Sequence, residues 1–65
     1  MKVTYDSESD VLRIVLSHKE ILESDEDRPG VILDYDEKGD IVGIEILDAS
    51  KRVDNPKALD YSVLG

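Results

Sequence analysis

The stretch VILDYDEKGDIVGIEIL (residues 31–47) decides the fold, because two strand patterns flank a polar turn. VILDYD (31–36) alternates apolar and polar side chains, and IVGIEIL (41–47) is apolar at nearly every position. Between them, Gly39 tolerates the positive φ angle that tight hairpins require. The stretch therefore predicts a β-hairpin.

The same pattern predicts the register of this hairpin. If Asp36 pairs with Ile41, apolar residues face one another on one side of the hairpin, and a shift of one residue would scatter them over both sides. The expected pairs are Tyr35 with Val42, Leu33 with Ile44, and Val31 with Ile46. Gly43 interrupts the second strand, which indicates a bulge or a close approach by another backbone.

A second hairpin is predicted from KVTYD (2–6) and VLRIVLS (11–17), which are separated by SESD. One side becomes wholly apolar and the other mixed, as a half-buried antiparallel pair requires. The expected pairs are Asp6 with Val11, Tyr5 with Leu12, Thr4 with Arg13, and Val3 with Ile14.

Residues 18–30 are less regular. Ile21 and Leu22 are expected to dock onto the sheet, with a further short strand as one possibility. That strand would end at Pro29-Gly30, which has the signature of a type II turn. The acidic residues of this segment are then expected in a solvated edge or loop: Glu23, Asp25, Glu26 and Asp27.

The C-terminal residues predict a short helix. Asp48 is a possible N-cap, and Asn55 with Pro56 is typical of a helix start. Leu59 and Val63 would share one face of that helix. The whole pattern predicts an α+β (mostly β) fold, an antiparallel β-meander of about four strands with a short C-terminal helix, in one domain spanning residues 1–65.

Composition narrows the classes of protein further. The chain has 65 residues, no cysteine and a formal net charge of −8. Disulfides and thiolate metal sites are excluded, and the negative charge disfavours nucleic acid. The first ten residues lack the apolar run of a signal peptide, and no stretch approaches the roughly 20 apolar residues of a membrane helix. These features predict a cytoplasmic protein without a membrane partner.

The segment from Asp34 to Glu45 partly matches a calcium-binding EF-hand loop. Asp34, Asp36, Gly39 and Glu45 fall at ligand or glycine positions of that loop, but Lys38 occupies a ligand position and would repel a cation. The flanking patterns are strands rather than helices, so a plain hairpin is the preferred interpretation. A weak divalent-cation site on an outward face remains an alternative, with candidate ligands Asp34, Asp36 and Glu45.

No arrangement of residues indicates catalysis. His18 is the only histidine, and a chain of this size rarely builds an enclosed pocket. The sequence therefore predicts no enzyme activity, no catalytic residue and no cofactor.

Taken together, YDSESDVLRIVLS (5–17) and PGVILDYDEKGDIVGIEILDAS (29–50) resemble a small prokaryotic family, domain of unknown function 2283. The shared features are the Tyr5-Asp6 start, the aliphatic strand Val11 to Leu16, and the segment from Pro29 to Ser50. The family has no established activity, so the resemblance implies fold and compartment more than function.

Two partner hypotheses follow from these observations. The first is a non-enzymatic acidic module that acts through protein–protein contact, and the second is an antitoxin-like partner of a basic nuclease toxin. Because aliphatic residues lie on both sides of the predicted strands, a homodimer is also expected. In a simple meander, residues 41–47 would form an exposed edge. The candidate interface residues are Ile41, Gly43, Leu47, Val11 and Val15.

Overall fold

The computed structural model describes residues 1–65 as one sheet and one short helix. The elements are β1 (Lys2–Asp6), β2 (Val11–Val15), β3 (Glu23–Arg28), β4 (Val31–Tyr35), β5 (Ile41–Leu47) and α1 (Ala49–Arg52). All strand pairs are antiparallel, and the strand order is β1-β2-β5-β4-β3. The predicted mostly antiparallel β fold with a short helix near its C-terminus is confirmed, with five strands where about four were expected.

The β1–β2 hairpin has the predicted register. Tyr5 lies opposite Leu12, and Val3 lies opposite Ile14. These four side chains are half-buried, while Thr4 and Arg13 on the other side are exposed. The apolar alternation alone was sufficient to fix this pairing.

The β4–β5 hairpin agrees with the prediction at one end only. Leu33 lies opposite Ile44 and Val31 opposite Ile46, as expected. Asp34 lies opposite Gly43 in the same register, and a bulge then intervenes, so that Tyr35 lies opposite Ile41. The predicted pairs Tyr35–Val42 and Asp36–Ile41 are therefore wrong, because Val42 is an extra residue in β5.

The predicted exposed edge at residues 41–47 is also wrong. β5 lies at the centre of the sheet, between β2 and β4, and the edges are β1 and β3. The chain reaches the far edge through residues 16–22, which cross the end of the sheet. The backbone N–H groups of Leu16 and Ser17 donate to the Val42 carbonyl at 2.9 and 3.2 Å, and the Leu22 N–H donates to the Tyr35 carbonyl at 2.8 Å.

A further strand does form within residues 18–30, and it ends at the Pro29-Gly30 turn. Gly30 has a φ angle of 83°, as the third position of a type II turn requires. The strand consists of the acidic segment Glu23–Arg28, in which every residue is exposed. The expected docking of Ile21 and Leu22 is wrong, because both precede the strand and are exposed, Leu22 at 70%.

The helix lies earlier in the chain than the Asn55-Pro56 pattern predicted. Asp48 occupies the N-cap position of α1, but its side chain makes no capping hydrogen bond. Residues 56–65 contain no helix, and Leu59 and Val63 are 70% and 78% exposed. A short helix is marginal without packing, and side chains this exposed bury too little surface to stabilise one. No helix in the structure is long and apolar enough to cross a membrane.

One side of the sheet, called here the apolar face, carries aliphatic and aromatic side chains from four strands. Its members, all half-buried, are Val3, Tyr5, Leu12, Ile14, Val31, Leu33, Tyr35, Ile44 and Ile46. The substantial contacts between elements all join neighbouring strands, so no second layer of helix or strand packs over this face. The C-terminal segment adjoins it only at the β1–β2 side, where Pro56 and Leu59 lie near Val3, Tyr5 and Leu12. Among the apolar residues, only Val42 and Ala49 are buried. The sheet is a single layer.

Gly43 is required by the close approach of a side chain. A Cβ atom on Gly43 would lie 2.8 Å from Asp34 Oδ2 and 3.5 Å from the Ile14 carbonyl oxygen. Of the two interpretations of this glycine, the bulge is confirmed, and the close approach by another backbone is wrong. A bulge adjoins it, and the close neighbour is chiefly the carboxylate of Asp34.

We expect Gly43→Ala to destabilise the fold by about 1–3 kcal/mol, because the added methyl group overlaps the Asp34 carboxylate. Urea denaturation at a fixed protein concentration measures this change in the free energy of unfolding. The control is the same substitution in an Asp34→Ala background, where the nearest remaining atom of residue 34 is Cβ, at an ordinary contact distance of 3.5 Å. An equal loss in both backgrounds would contradict the steric explanation.

Candidate functional site

The carboxylate of Asp34 is enclosed by the sheet instead of facing solvent. The residue is 1% exposed, and Oδ1 accepts a hydrogen bond from the Ser24 hydroxyl at 2.6 Å. Oδ2 is buried without a hydrogen-bond partner, next to Gly43. Asp34 thus links the edge strand β3 to the centre of the sheet. The expectation that it lies on an exposed outward face is wrong.

Asp36 organises the loop between β4 and β5. Its Oδ1 accepts the backbone N–H groups of Lys38 and Asp40, both at 2.9 Å, and the residue is 5% exposed. Lys19 Nζ lies 3.9 Å from Oδ2. The Asp40 N–H, followed by the Lys38 N–H and the charges of Lys19 and Lys38, lowers the pKa of Asp36 despite its burial. The carboxylate therefore acts as a structural acceptor within the hairpin loop.

The three candidate cation ligands do not form a site. Glu45 is half-buried on β5, opposite Arg13 and Ile32. Asp34 and Asp36 direct oxygen atoms at Ser24 and at the loop backbone, as described above. No group of three or more His, Cys, Asp or Glu side chains is placed to hold a metal ion. The likeness to a calcium loop is thus confined to the order of residues along the chain.

Asp10 forms a polar cluster that the sequence interpretation missed. Its Oδ1 accepts the Tyr5 hydroxyl at 2.8 Å and the Ser50 N–H at 2.9 Å, and its Oδ2 accepts the Ser50 hydroxyl at 2.6 Å. The Asp10 carbonyl accepts the Ala49 N–H at 3.0 Å. Asp10 therefore caps α1 from a distant turn, in the role predicted for Asp48. No local signal identifies such a cap, because it joins residues forty positions apart.

These contacts change the acidity of the groups involved. Hydrogen bonds from the Ser50 hydroxyl, then from Tyr5, lower the pKa of Asp10. The pKa of the Tyr5 phenol is raised, first by its hydrogen bond to Asp10, then by burial, and then by the negative charges of Asp10 and Asp6. Asp10 is therefore ionised, and Tyr5 neutral, near neutral pH.

Arg52 ties the other end of α1 to the β3–β4 turn. Its Nη2 donates to the Pro29 carbonyl at 2.7 Å. The guanidinium lies so close to Gly30 that a Cβ atom there would be 2.7 Å from Nη2. The helix thus joins the β1–β2 and β3–β4 turns at one end of the sheet.

The surface offers only shallow depressions. The best defined, of about 380 Å³, lies beside the β4–β5 loop, and only one of its lining residues, Leu22, is apolar. Ligand sites are usually concave and mostly apolar, with a few convergent polar groups. Five of the six residues that line this depression are charged, and its one buried carboxylate, Asp36, is already bonded to the loop.

The predicted interface residues are divided between different environments. Ile41 is exposed and lies opposite Tyr35, at the margin of the apolar face. Gly43 is buried beneath Asp34, so it offers no surface to a partner. Val11, Val15 and Leu47 are half-buried on the opposite face of the sheet, where Val11 lies opposite Leu47.

Comparison with known proteins places the chain in a family. Residues 2–50 match the family described as "Protein of unknown function (DUF2283)". The chain belongs to this family, which confirms the resemblance seen in the sequence. It is also 47% identical over 53 residues to an uncharacterised protein of Methanocaldococcus jannaschii, a match that covers 78% of the chain and 43% of that protein. The chain thus matches less than half the length of this relative. No solved structure matches the chain significantly.

We expect the lowered pKa values of Asp10 and Asp36 to make the fold sensitive to acid. A group whose pKa is lower in the folded state stabilises the fold above its unfolded pKa of about 3.9, and that contribution is lost as the pH falls through the folded pKa. The free energy of unfolding should therefore decrease below about pH 4. Carboxyl-carbon NMR titration should give midpoints for both residues below those of exposed aspartates.

Ser50→Ala provides the matched control for this titration. It removes the strongest hydrogen bond to Asp10, so the pKa of Asp10 should rise toward its ordinary value while that of Asp36 stays low. An unchanged Asp10 midpoint in this variant would contradict the assigned cause.

Proposed function

We propose that this domain acts by binding another polypeptide through its apolar face, and that it is not an enzyme. The observation that supports this proposal is the face itself, over which no second layer of helix or strand packs. Monomeric soluble proteins rarely leave a contiguous apolar surface of this kind, and larger patches mark interaction sites. The central residues of the face are Ile14, Ile44 and Leu33, which lie side by side across β2, β5 and β4.

The polar groups support a non-enzymatic role. The carboxylates with lowered pKa values, Asp10 and Asp36, are used to hold a helix terminus and a hairpin loop. Asp34 contacts Ser24 inside the sheet. No nucleophile and base converge at a concave surface, and the shallow depressions would not exclude water from a reaction.

A second candidate function rests on the acidic edge. β3 is an edge strand whose exposed residues include Glu23, Asp25, Glu26 and Asp27. An edge with this charge is complementary to a basic protein, which is the property expected of an antitoxin-like partner of a basic nuclease toxin. The cation-binding alternative has no comparable support, because its candidate ligands do not converge.

We expect Ile14→Lys to abolish capture of the binding polypeptide from native lysate by the tagged protein, because the lysine places a charge at the centre of the apolar face. Mass spectrometry of the captured proteins provides the readout, and circular dichroism establishes that the variant is folded. The matched control is Val15→Lys, since Val15 is the next residue of β2, is also half-buried, and belongs to the opposite face. Equal capture by both variants would contradict the use of the apolar face.

The acidic edge is tested separately by Asp27→Lys, since Asp27 is an exposed residue of β3 that lies at the register shift and opposite no residue of the apolar face. If β3 docks a basic protein, this variant should lose that protein and Ile14→Lys should retain it. The salt dependence distinguishes the two modes as well, because a complex between opposite charges weakens as ionic strength rises.

A further inference from the structure

The surface area and dimensions of the chain exceed those of a compact monomer. Its accessible surface is 5151 Å², whereas a compact monomer of this mass exposes about 4,200 Å². The radius of gyration is 12.6 Å, compared with about 11 Å for a compact domain of this length. The excess area is close to the roughly 800 Å² that each partner contributes to a standard protein–protein interface.

The excess accessible area can be assigned to particular parts of the molecule. No second layer of helix or strand packs over the apolar face. Only the C-terminal segment adjoins it, where Pro56 and Leu59 line a shallow depression together with Val3, Tyr5 and Leu12. Beyond this point, the apolar residues Tyr61, Val63 and Leu64 are all at least 70% exposed. The uncovered surface therefore combines a sheet face with an apolar tail that begins beside it.

We infer that a second copy of this chain occupies the apolar face, so that two sheets pack into a β-sandwich with two-fold symmetry. This inference rests on the proposed function and names its partner. A twisted sheet face of aliphatic residues is complementary to another such face at a separation of about 10 Å. A second copy supplies a sheet of the same size, twist and side chains, as a two-fold interface requires.

The distribution of charge favours a second copy over a basic partner at this face. The two central rows of the face contain only uncharged side chains on β1, β2, β5 and β4, and charged residues enter only on β3, at Asp25 and Arg28. The net charge of −8 therefore lies mainly outside the contact. In a contact between two copies, no like charges would face one another at the centre. A basic protein, by contrast, would find no carboxylate at the centre of this face to pair with.

Growth of the sheet through its β3 edge is disfavoured. The β3 edge is acidic and contains a register shift between Glu26 and Arg28. Both features oppose pairing with a further strand, and identical acidic edges repel one another.

Sedimentation equilibrium tests this inference on the full chain. The wild-type protein should have twice the 7.3 kDa mass of the chain at micromolar concentration. Ile14→Lys should weaken the dimer by roughly 30-fold or more, as expected for a central interface residue. Val15→Lys should leave the dimer intact. Higher salt should tighten association or leave it unchanged, because it screens repulsion between two negatively charged copies.

Intermolecular NOEs give a second measurement that does not depend on a variant remaining folded. In a sample mixing labelled and unlabelled wild-type protein, methyl groups of Ile14, Leu33 and Ile44 should show contacts between copies. The inference would be overturned if Val15→Lys dissociated the dimer, Ile14→Lys did not, and these NOEs were absent. The contact would then lie on the opposite face. If the folded protein sediments as a monomer with a mass near 7.3 kDa, the partner of the apolar face is not a second copy of the chain. In that case the proposed function would still stand if lysate capture depends on Ile14, and would fail if it does not.

Discussion

The close contact between the Asp34 carboxylate and Gly43 is the constraint on which the sheet depends. Gly43 lies in the central strand, between Val15 of β2 and Asp34 of β4. Its missing side chain makes room for a carboxylate that reaches Ser24 in the edge strand. The neighbouring bulge presents the Val42 carbonyl to the two N–H groups that guide the chain out of β2. Three strands and one crossing segment are thus positioned around a single glycine.

The local parts of this fold were readable in the sequence, and the parts set by distant contacts were not. Alternation of apolar residues gave the β1–β2 register because a slip would expose its apolar side. Gly43 indicated a bulge, but the pairs that it shifts could not be predicted, because Ile41 and Val42 are both apolar and either could face the apolar side. β3 was ambiguous because its residues have low β propensity, and pairing with β4 determines its conformation. The C-terminal helix was misplaced because a proline start signal was given more weight than the absence of a packing surface.

The candidate site, like the fold, was predictable where it depends on local sequence and not where it depends on distant contacts. The apolar side of the sheet was predicted from periodicity, but not that it would remain uncovered, since this depends on where α1 and residues 56–65 lie. The carboxylates were predicted as exposed because sequence alone does not distinguish a solvated aspartate from one bonded inside a loop. Asp10 had no distinguishing signal at all, as its partners Ser50 and Ala49 are remote in the chain. The sequence singled out Gly43 as the position of a bulge, but only the structure shows that its close neighbour is the Asp34 carboxylate.

The placement of β5 between β2 and β4 has a consequence for how the chain folds. β1 with β2, and β3 with β4 and β5, are two units whose internal contacts are local in sequence. They meet along a single seam, in which Val11 pairs with Leu47. Local hairpins form within microseconds, whereas contacts between distant residues must first offset the entropy of closing a long loop. We therefore expect the seam to form last, with Asp10 and Ser50 closing it at one end. The β2–β5 boundary is also the natural place to divide the protein into two complementing fragments.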